Sequence, residues 1–431
     1  MPENKPTIAI VGGGISGVVL AIALIRRGLG VQVYEQAHAF GEIGAGVAFS
    51  PNAIRSMQAC SPDIYDAFER VVTHNQWPSK KNIWFDFQDG YAKDSKVGEE
   101  KLLFSLENDY GANSVHRADF LAEIVKLVPE GVTHFKKHLD TIEQPTGEGK
   151  VTLRFHDGTT AEADAVIGCD GIKARTRAWM LGDEHPGAAP VYTHKYAYRG
   201  LIPMDRAVEA LGDDNAKNGK MHLGKNGHIL TFPVQHGEVM NVVAFKTNDN
   251  DWPDPTRMTL PAKKEQACED FKDFGPTIRK IIDMLDSDLD CWAIFDTGDH
   301  PMPAYNKGRV CVIGDAAHAT SPHHGAGAGI CIEDAAVMAD LLADPSVHKA
   351  GIKGFEAAFQ AFSDCRKERT QWLVQSSRRT GDLYEWRADG VGEDAEKIHQ
   401  ECKERNDRIW NAQVDVMVKE AKQSLATILK V

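Results

Sequence analysis

"IAIVGGGISG", residues 8–17, runs four apolar residues straight into three glycines, after which the chain turns helical. Residues 7–11 read as a short strand, and "SGVVLAIALIRRG" (16–28) carries apolar residues at helical spacing until Gly28 ends it. "VQVYEQ" (31–36) is the next strand. Gly12, Gly14 and Gly17 therefore spell G-x-G-x-x-G inside a β-turn-helix-β unit. Gly12 permits the tight turn, Gly14 lets backbone approach a pyrophosphate, and Gly17 lets helix and strand pack closely. The helix N-terminus offers that anion free N–H groups and a partial positive charge. Glu35 follows Gly12 by 23 residues, at a strand end where a carboxylate accepts from ribose hydroxyls and repels a 2′-phosphate. The unit suits FAD or NAD rather than NADP, and the choice between these two needs the rest of the chain.

The 431 residues suffice for two domains, or for one large domain with a second sheet inserted. Lys+Arg number 49 against 62 Asp+Glu, and a net charge of -13 argues against nucleic acid or an anionic membrane as partner. The eight cysteines form no CxxC pair, sit mostly in apolar runs and read as buried thiols in a reducing compartment. "MPENKPTIAIVGGG" is no secretory signal, no apolar run reaches the roughly 20 residues of a membrane span, and "TILKV" is no peroxisomal tripeptide. Cytoplasm is the expected location.

Further along, "FGEIGAGVAFSPNAIRSM" (40–57) is a Gly-rich loop leading into a helix, and "SVHRADFLAEIVKLV" (114–128) reads as an amphipathic helix with an Arg at its start. "VTLRFHDGTTAEADAVIGCDG" (151–171) alternates through a hairpin turning at Asp157-Gly158 and enters an apolar strand. Between residues 185 and 250, "HKYAYRGLIPM", "HILTFPVQ" and "VMNVVAFKT" suggest an antiparallel sheet. Strand, loop and helix return at 309–343, and from Gly354 onward the chain is helical, with Phe355, Phe359 and Phe362 on one face docking on the core. The expected fold class is α/β: a three-layer Rossmann-like dinucleotide-binding domain, an inserted, mainly antiparallel β-sheet substrate domain, and a C-terminal helical region. Residues 1–75, 106–184 and 291–350 are assigned to the first, 76–105 and 185–290 to the second, and 351–431 to the third.

Three separated segments look like one site: Gly12–Gly17 with Glu35; "IGCDGIKARTR" (167–177); and "VCVIGDAAHATSPHHGAGAG" (310–329). Their combination resembles the flavoprotein aromatic hydroxylases, the single-component FAD-dependent monooxygenases. It is most similar to fungal salicylate hydroxylase-like and dearomatising polyketide-phenol hydroxylases, through "EIGAGVAFSPNAIR", "YAYRGLIP", "SPHHGAGAG" and "SSRRTGDLYEW". The resemblance implies FAD as cofactor and NAD(P)H and dioxygen as co-substrates. A phenol, such as one from fungal secondary metabolism, would be hydroxylated through a flavin hydroperoxide by a monomer or homodimer. Salicylate, decarboxylated to catechol, is the alternative substrate. Outside this class stand an NAD-dependent dehydrogenase using only the first motif and a flavoprotein without turnover.

By the same resemblance Glu35 binds the adenosine ribose, Arg117 reaches the pyrophosphate, and Asp170-Gly171 lies beside the dinucleotide. Asp315 contacts the ribityl chain, while Gly46, Gly327 and Ala328 belong to the flavin cradle, in which backbone N–H groups of 325–329 face the pyrimidine edge. Such donors suit an anionic reduced flavin, and oxygen activation by the cofactor removes any need for a metal. His318, His323 and His324 lack a carboxylate or thiol ligand pattern and read as loop scaffolding or flavin contacts rather than metal ligands. Tyr198, Phe232, Pro322 and His323 are expected to line the substrate pocket. Phe232 stands where some dearomatising relatives carry a Tyr; it reads as packing in the active-site wall, and where a phenol partner is still needed Tyr198 or Tyr110 is the candidate to supply it from another wall. Arg199, in "HKYAYRGLIP", is the expected catalytic residue: an Arg in an apolar pocket is costly unless an anion meets it, and a phenolate or carboxylate is that anion.

Overall fold

The computed structural model describes residues 6–41 and 46–430, so 42–45 of the Gly-rich loop lie outside the described residues. The strand Thr7–Val11 sits between Ala165–Gly168 and Gly30–Tyr34 and pairs with both in parallel. Val310–Val312 and Thr133–His134 extend this sheet in parallel on its two sides, and Asn306–Lys307 adds an antiparallel edge. Continuous apolar burial from Ile8 to Val11 is what a strand covered on both faces requires. One face carries the helix Ile15–Arg26, against which Gly327–Leu342 packs, with Pro51–Cys60 behind it. The third layer is a small antiparallel sheet, Leu139–Glu143, Val151–Phe155 and Thr160–Ala163, whose Val151, Leu153 and Phe155 enter the same core.

Two of the opening glycines are required by space as well as by conformation. Gly12 has φ +106°, and a Cβ there would lie 2.3 Å from the Cys169 carbonyl oxygen. A Cβ on Gly17 would lie 2.0 Å from the Gly12 carbonyl oxygen. The turn thus fits between two strand ends and the helix only without side chains.

The second sheet has eight strands, in the order Thr259–Lys263, Asp288–Asp296, Val191–Pro203, Val239–Thr247, Gly227–Val234, Lys220–Gly224, Ile83–Asp89 and Leu102–Glu107. All its pairings are antiparallel except Lys220–Gly224 with Ile83–Asp89, which are parallel. Two stretches depart from expectation. Residues 291–296, assigned to the dinucleotide-binding domain, continue the strand Asp288–Asp296 of this second sheet, because they pair with Val191–Pro203. Residues 114–116 are a strand paired with Gly46–Ala48, and the helix begins only at Arg117. Val115 is buried by that pairing, which overrides the helical periodicity.

The C-terminal part is a 33-residue helix, Ile352–Tyr384, followed by Ala395–Trp410 and Val414–Leu429. Phe355, Phe359 and Phe362 are all buried in the main core. Among the described residues no helix is long and apolar enough to cross a membrane.

Candidate active site

A groove of about 440 Å³ runs along the opening glycine turn, lined by Gly12, Gly14, Glu35, Arg117, Asp170 and Gly171 among others. Glu35 grips the turn: its Oε2 accepts from Gly13 N at 2.6 Å and its Oε1 from Ala37 N at 2.7 Å. Arg117 reaches the groove from the head of its helix. Asp170 is engaged differently from a free ligand, since its carboxylate accepts from Thr176 N at 2.9 Å and from the Thr176 hydroxyl. It ties the helix Arg175–Leu181 to the groove wall, while burial pushes its carboxyl upward.

Gly14, Arg117 and Gly171 are shared with a second cavity of about 260 Å³, whose wall includes Ser16, Gly46, Asp315, Gly327 and Ala328. The two spaces form one elongated groove. Its lining of glycines and alanine at the N-terminus of Gly327–Leu342 leaves backbone exposed to a ligand. Glycine turn, carboxylate at a strand end, cation and two helix N-termini are the donor set for a dinucleotide, and they fit FAD. Glu35→Ala frees the turn and removes an acceptor together. We expect weaker FAD retention and a lower Tm, read by flavin absorbance after gel filtration and by a thermal melt.

The second cavity opens beside a third, of about 120 Å³, walled by Trp84, Phe85, Met221, Phe232, Phe245, Pro322, His323 and Tyr384. Gly46, Pro322, Gly325 and Arg199 border both. Register on the large sheet explains the wall. Arg199 pairs with Val243 and Val243 with Leu230; two residues along, Ala197, Phe245 and His228 form the next row. Alternate residues of a strand share a face, so His228, Leu230 and Phe232 line up on the side that carries Arg199.

Arg199 is half-buried, its guanidinium lies 4.7 Å from the Trp292 ring centre, and its Nε has no partner. No carboxylate pairs with it among the described residues. Burial, with the charge of Arg117, pushes its pKa down to about 10, which leaves it charged at neutral pH.

Tyr198 is corrected. As Arg199's neighbour it points to the opposite face, where its hydroxyl donates to Asp270 Oδ2 at 2.7 Å inside another hydrophobic cluster. Tyr110 is 39% exposed and lines none of these cavities. The replacement hydroxyl expected from either is therefore absent from the wall; the tyrosine that is there is Tyr384. Phe232 packs edge-on against Phe85, at 6.2 Å between ring centres.

The three histidines separate into different tasks. His318 Nε2 lies 2.6 Å from Asp334 Oδ2, which also accepts from Gly314 N at 3.0 Å, so the pair holds the third motif in place. His324 Nε2 meets Ser376 and Thr380 of the long helix, and burial with the Arg405 charge pushes its pKa down to about 3. His323 faces the third cavity with neither ring nitrogen partnered.

Sequence reasoning missed Trp292, His228 and Tyr384. His228 was within reach, because it precedes Phe232 by four residues on one strand and so shares its face. Trp292 arrives through strand pairing with no local pattern to mark it, whereas Tyr384 lies within "SSRRTGDLYEW", a stretch that carries the resemblance but does not by itself say that the helix end docks on this cavity.

Comparison with known proteins agrees with this geometry. The family profile described as "FAD binding domain" matches residues 5–376. The chain is 49% identical to the FAD-dependent monooxygenase orf3 of Aspergillus niger, over 97% of each chain. It is 42% identical to the salicylate hydroxylase asL1 of Sarocladium schorii, over 98% of this chain and 91% of that one. A solved salicylate hydroxylase substrate complex superposes with a TM-score of 0.84 at 31% identity, covering 97% of this chain and 98% of that one. The dinucleotide read from the opening glycines is FAD, and the dehydrogenase alternative falls away. With its glycine groove running into an aromatic cavity, the chain belongs to the FAD-dependent monooxygenases of the salicylate hydroxylase-like family.

Proposed function

We propose that this protein hydroxylates a single-ring phenol, with NAD(P)H as reductant and dioxygen as oxygen donor. The observation that carries this reading is Arg199: a half-buried guanidinium whose enclosed Nε has no partner and which no carboxylate pairs among the described residues, on the wall shared by the glycine groove and the aromatic cavity. Such a cation is stabilised by an anion, and a phenolate brings one together with a ring that the aromatic walls accept. The walls Trp84, Phe85, Phe232 and Phe245 suit the faces and edges of an aromatic ring.

In this reading Gly12, Gly14, Glu35, Arg117 and Asp170 hold the adenosine and pyrophosphate end of FAD, with Gly17 allowing the turn. Gly46, Asp315, Gly327 and Ala328 cradle the flavin end. Bound there, FAD would supply the redox chemistry that a monooxygenase reaction with NAD(P)H and dioxygen needs. Arg199 lowers the effective pKa of the phenol and so raises the nucleophilicity of its ring carbon. Phe232, Pro322 and His323 close the ring in and exclude water.

A test is to purify the yellow protein and follow NAD(P)H oxidation across a panel of phenols and salicylates, with products identified by mass. Consumption stimulated by a phenol, with gain of one oxygen atom, is the expected result. Release of carbon dioxide from salicylate would assign the decarboxylating reaction instead, and stimulation by no member would overturn the reading.

A further inference from the structure

The eight-stranded sheet has a second concavity, on the face turned away from the aromatic cavity. Strand alternation creates it. Phe85 and Met221 line the aromatic cavity, whereas Asp86 and Lys220, the residues next to them on two paired strands, point the other way. There, with Gln88, Glu100 and Asn215, they wall a cavity of about 430 Å³ that opens beside the exposed Trp77 and Leu102. It shares no residue with the glycine groove or the aromatic cavity.

Most of the charges here are paired. Lys80 and Lys220 donate to Asp86 Oδ2 at 2.7 and 3.0 Å, Lys220 also donates to Asp214 at 2.9 Å, and Trp77 Nε1 donates to Asp213 at 2.7 Å. Glu100 is the exception. It is only 9% exposed, and among the described residues neither of its oxygens has a hydrogen-bond partner of good geometry. The Thr277 hydroxyl and the Lys220 charge ease the carboxylate, yet burial outweighs them and pushes its pKa up. Gln88 adds another open acceptor. Asn215 Nδ2 donates to the Gly98 and Leu211 carbonyls, so Asn215 Oδ1 accepts from Gln88 Nε2 at 3.3 Å, and Gln88 Oε1 is left without a partner. The cavity wall thus carries three buried acceptor oxygens that no donor meets.

We propose that this cavity binds a primary ammonium ion carried on an apolar body, an alkylamine or arylalkylamine. An ammonium has three N–H donors and no acceptor, which answers three open acceptors, and its charge compensates the buried Glu100 carboxylate. Trp77 and Leu102 at the mouth offer apolar area to the carbon body. A metal ion suits the wall less well. No group of three or more His, Cys, Asp or Glu able to hold one exists among the described residues, and two lysines already occupy Asp86. An anion would meet the Glu100 carboxylate and two lysines that carboxylates already engage.

The test is calorimetric titration of the flavin-loaded protein with hexylamine at neutral pH, where the amine is charged. Hexanol lacks the charge and hexyltrimethylammonium lacks the N–H donors, so these two serve as comparison probes. Wild type should bind hexylammonium with a Kd below about 1 mM and each comparison probe at least about tenfold more weakly. Saturating hexylamine should also raise the Tm by mass action. Glu100→Gln removes the charge and keeps the shape. It should retain FAD, should not lower the Tm, and should weaken hexylamine binding about tenfold or more. Leu102→Arg sets a cation at the mouth from an exposed position and should weaken binding similarly, so it decides the question if Glu100→Gln does not fold. Hexylamine binding that ignores both substitutions would place the amine elsewhere and overturn the proposal, as would equal binding of hexanol. Calcium or potassium binding that Glu100→Gln abolishes, with no binding of hexylamine, would assign a metal site and overturn it too.

Discussion

Arg199→Ala should purify with its FAD and yet lose about 100-fold or more in hydroxylation, the equivalent of one buried charged contact of about 3 kcal/mol. The flavin is retained because Arg199 borders the cavity that holds Gly46 and Pro322, whereas Gly12 and Glu35 line only the other end of the groove. NAD(P)H oxidation should be less impaired than product formation, so the ratio of product to NAD(P)H consumed falls. The stability effect should run the other way. A half-buried cation with no carboxylate disfavours folding, and its lowered pKa expresses that cost. Arg199→Met fills similar space without the charge and should not lower the Tm. Hydroxylation by a flavin-loaded Arg199→Ala protein at the wild-type rate would rule out the anion role.

The largest loss of stability is expected at Arg366→Met. Arg366 lies in the interior between two carboxylates, with Nε 2.7 Å from Asp334 Oδ1 and Nη2 2.7 Å from Glu333 Oε2. Both acids are fully buried, and both have further partners: Arg369 and Asn52 on Glu333, His318 and Gly314 N on Asp334. Removing Arg366 leaves two buried negative charges with too little compensation, a loss of about 3–5 kcal/mol. Because Asp334 anchors Gly314 and His318, FAD retention should fall with the Tm. Titration sharpens the test. Against the raising effect of burial, the charges of His318 and Arg366 hold the Asp334 pKa at about 2, below the 3.8 usual for an aspartate. The stabilisation is therefore complete above about 3.8 and disappears as the pH falls toward about 2. In the variant this depression is weakened, so acid unfolding should begin at a higher pH, as followed by tryptophan fluorescence. A variant melting at the wild-type temperature with an unchanged acid limb would contradict this account.

Much of the groove follows from local sequence. Gly12, Gly14, Gly17 and Glu35 act within one β-turn-helix-β unit, where the chain itself sets which atoms meet and spacing alone carries the information. Arg199 was legible for a related reason: a charged residue amid "YAYRGLIP" conflicts with its surroundings, and such conflicts mark functional positions. Tyr198 was misplaced because strand residues alternate faces. Choosing Arg199 for the cavity already excluded its neighbour, and only the register against Val239–Thr247 and Asp288–Asp296 makes that exclusion visible.

The sequence by itself determined the dinucleotide unit, the inserted sheet and the cation that seeks an anion, since each depends on residues close along the chain or on one residue in conflict with its setting. Only the tertiary structure decided what surrounds that cation. Trp292, His228 and Tyr384 lie on the strands Asp288–Asp296 and Gly227–Val234 and at the end of the long helix, tens to hundreds of residues apart. Their meeting depends on strand register and helix docking, which arise from burial summed over the whole core and are not set by any one short stretch of sequence.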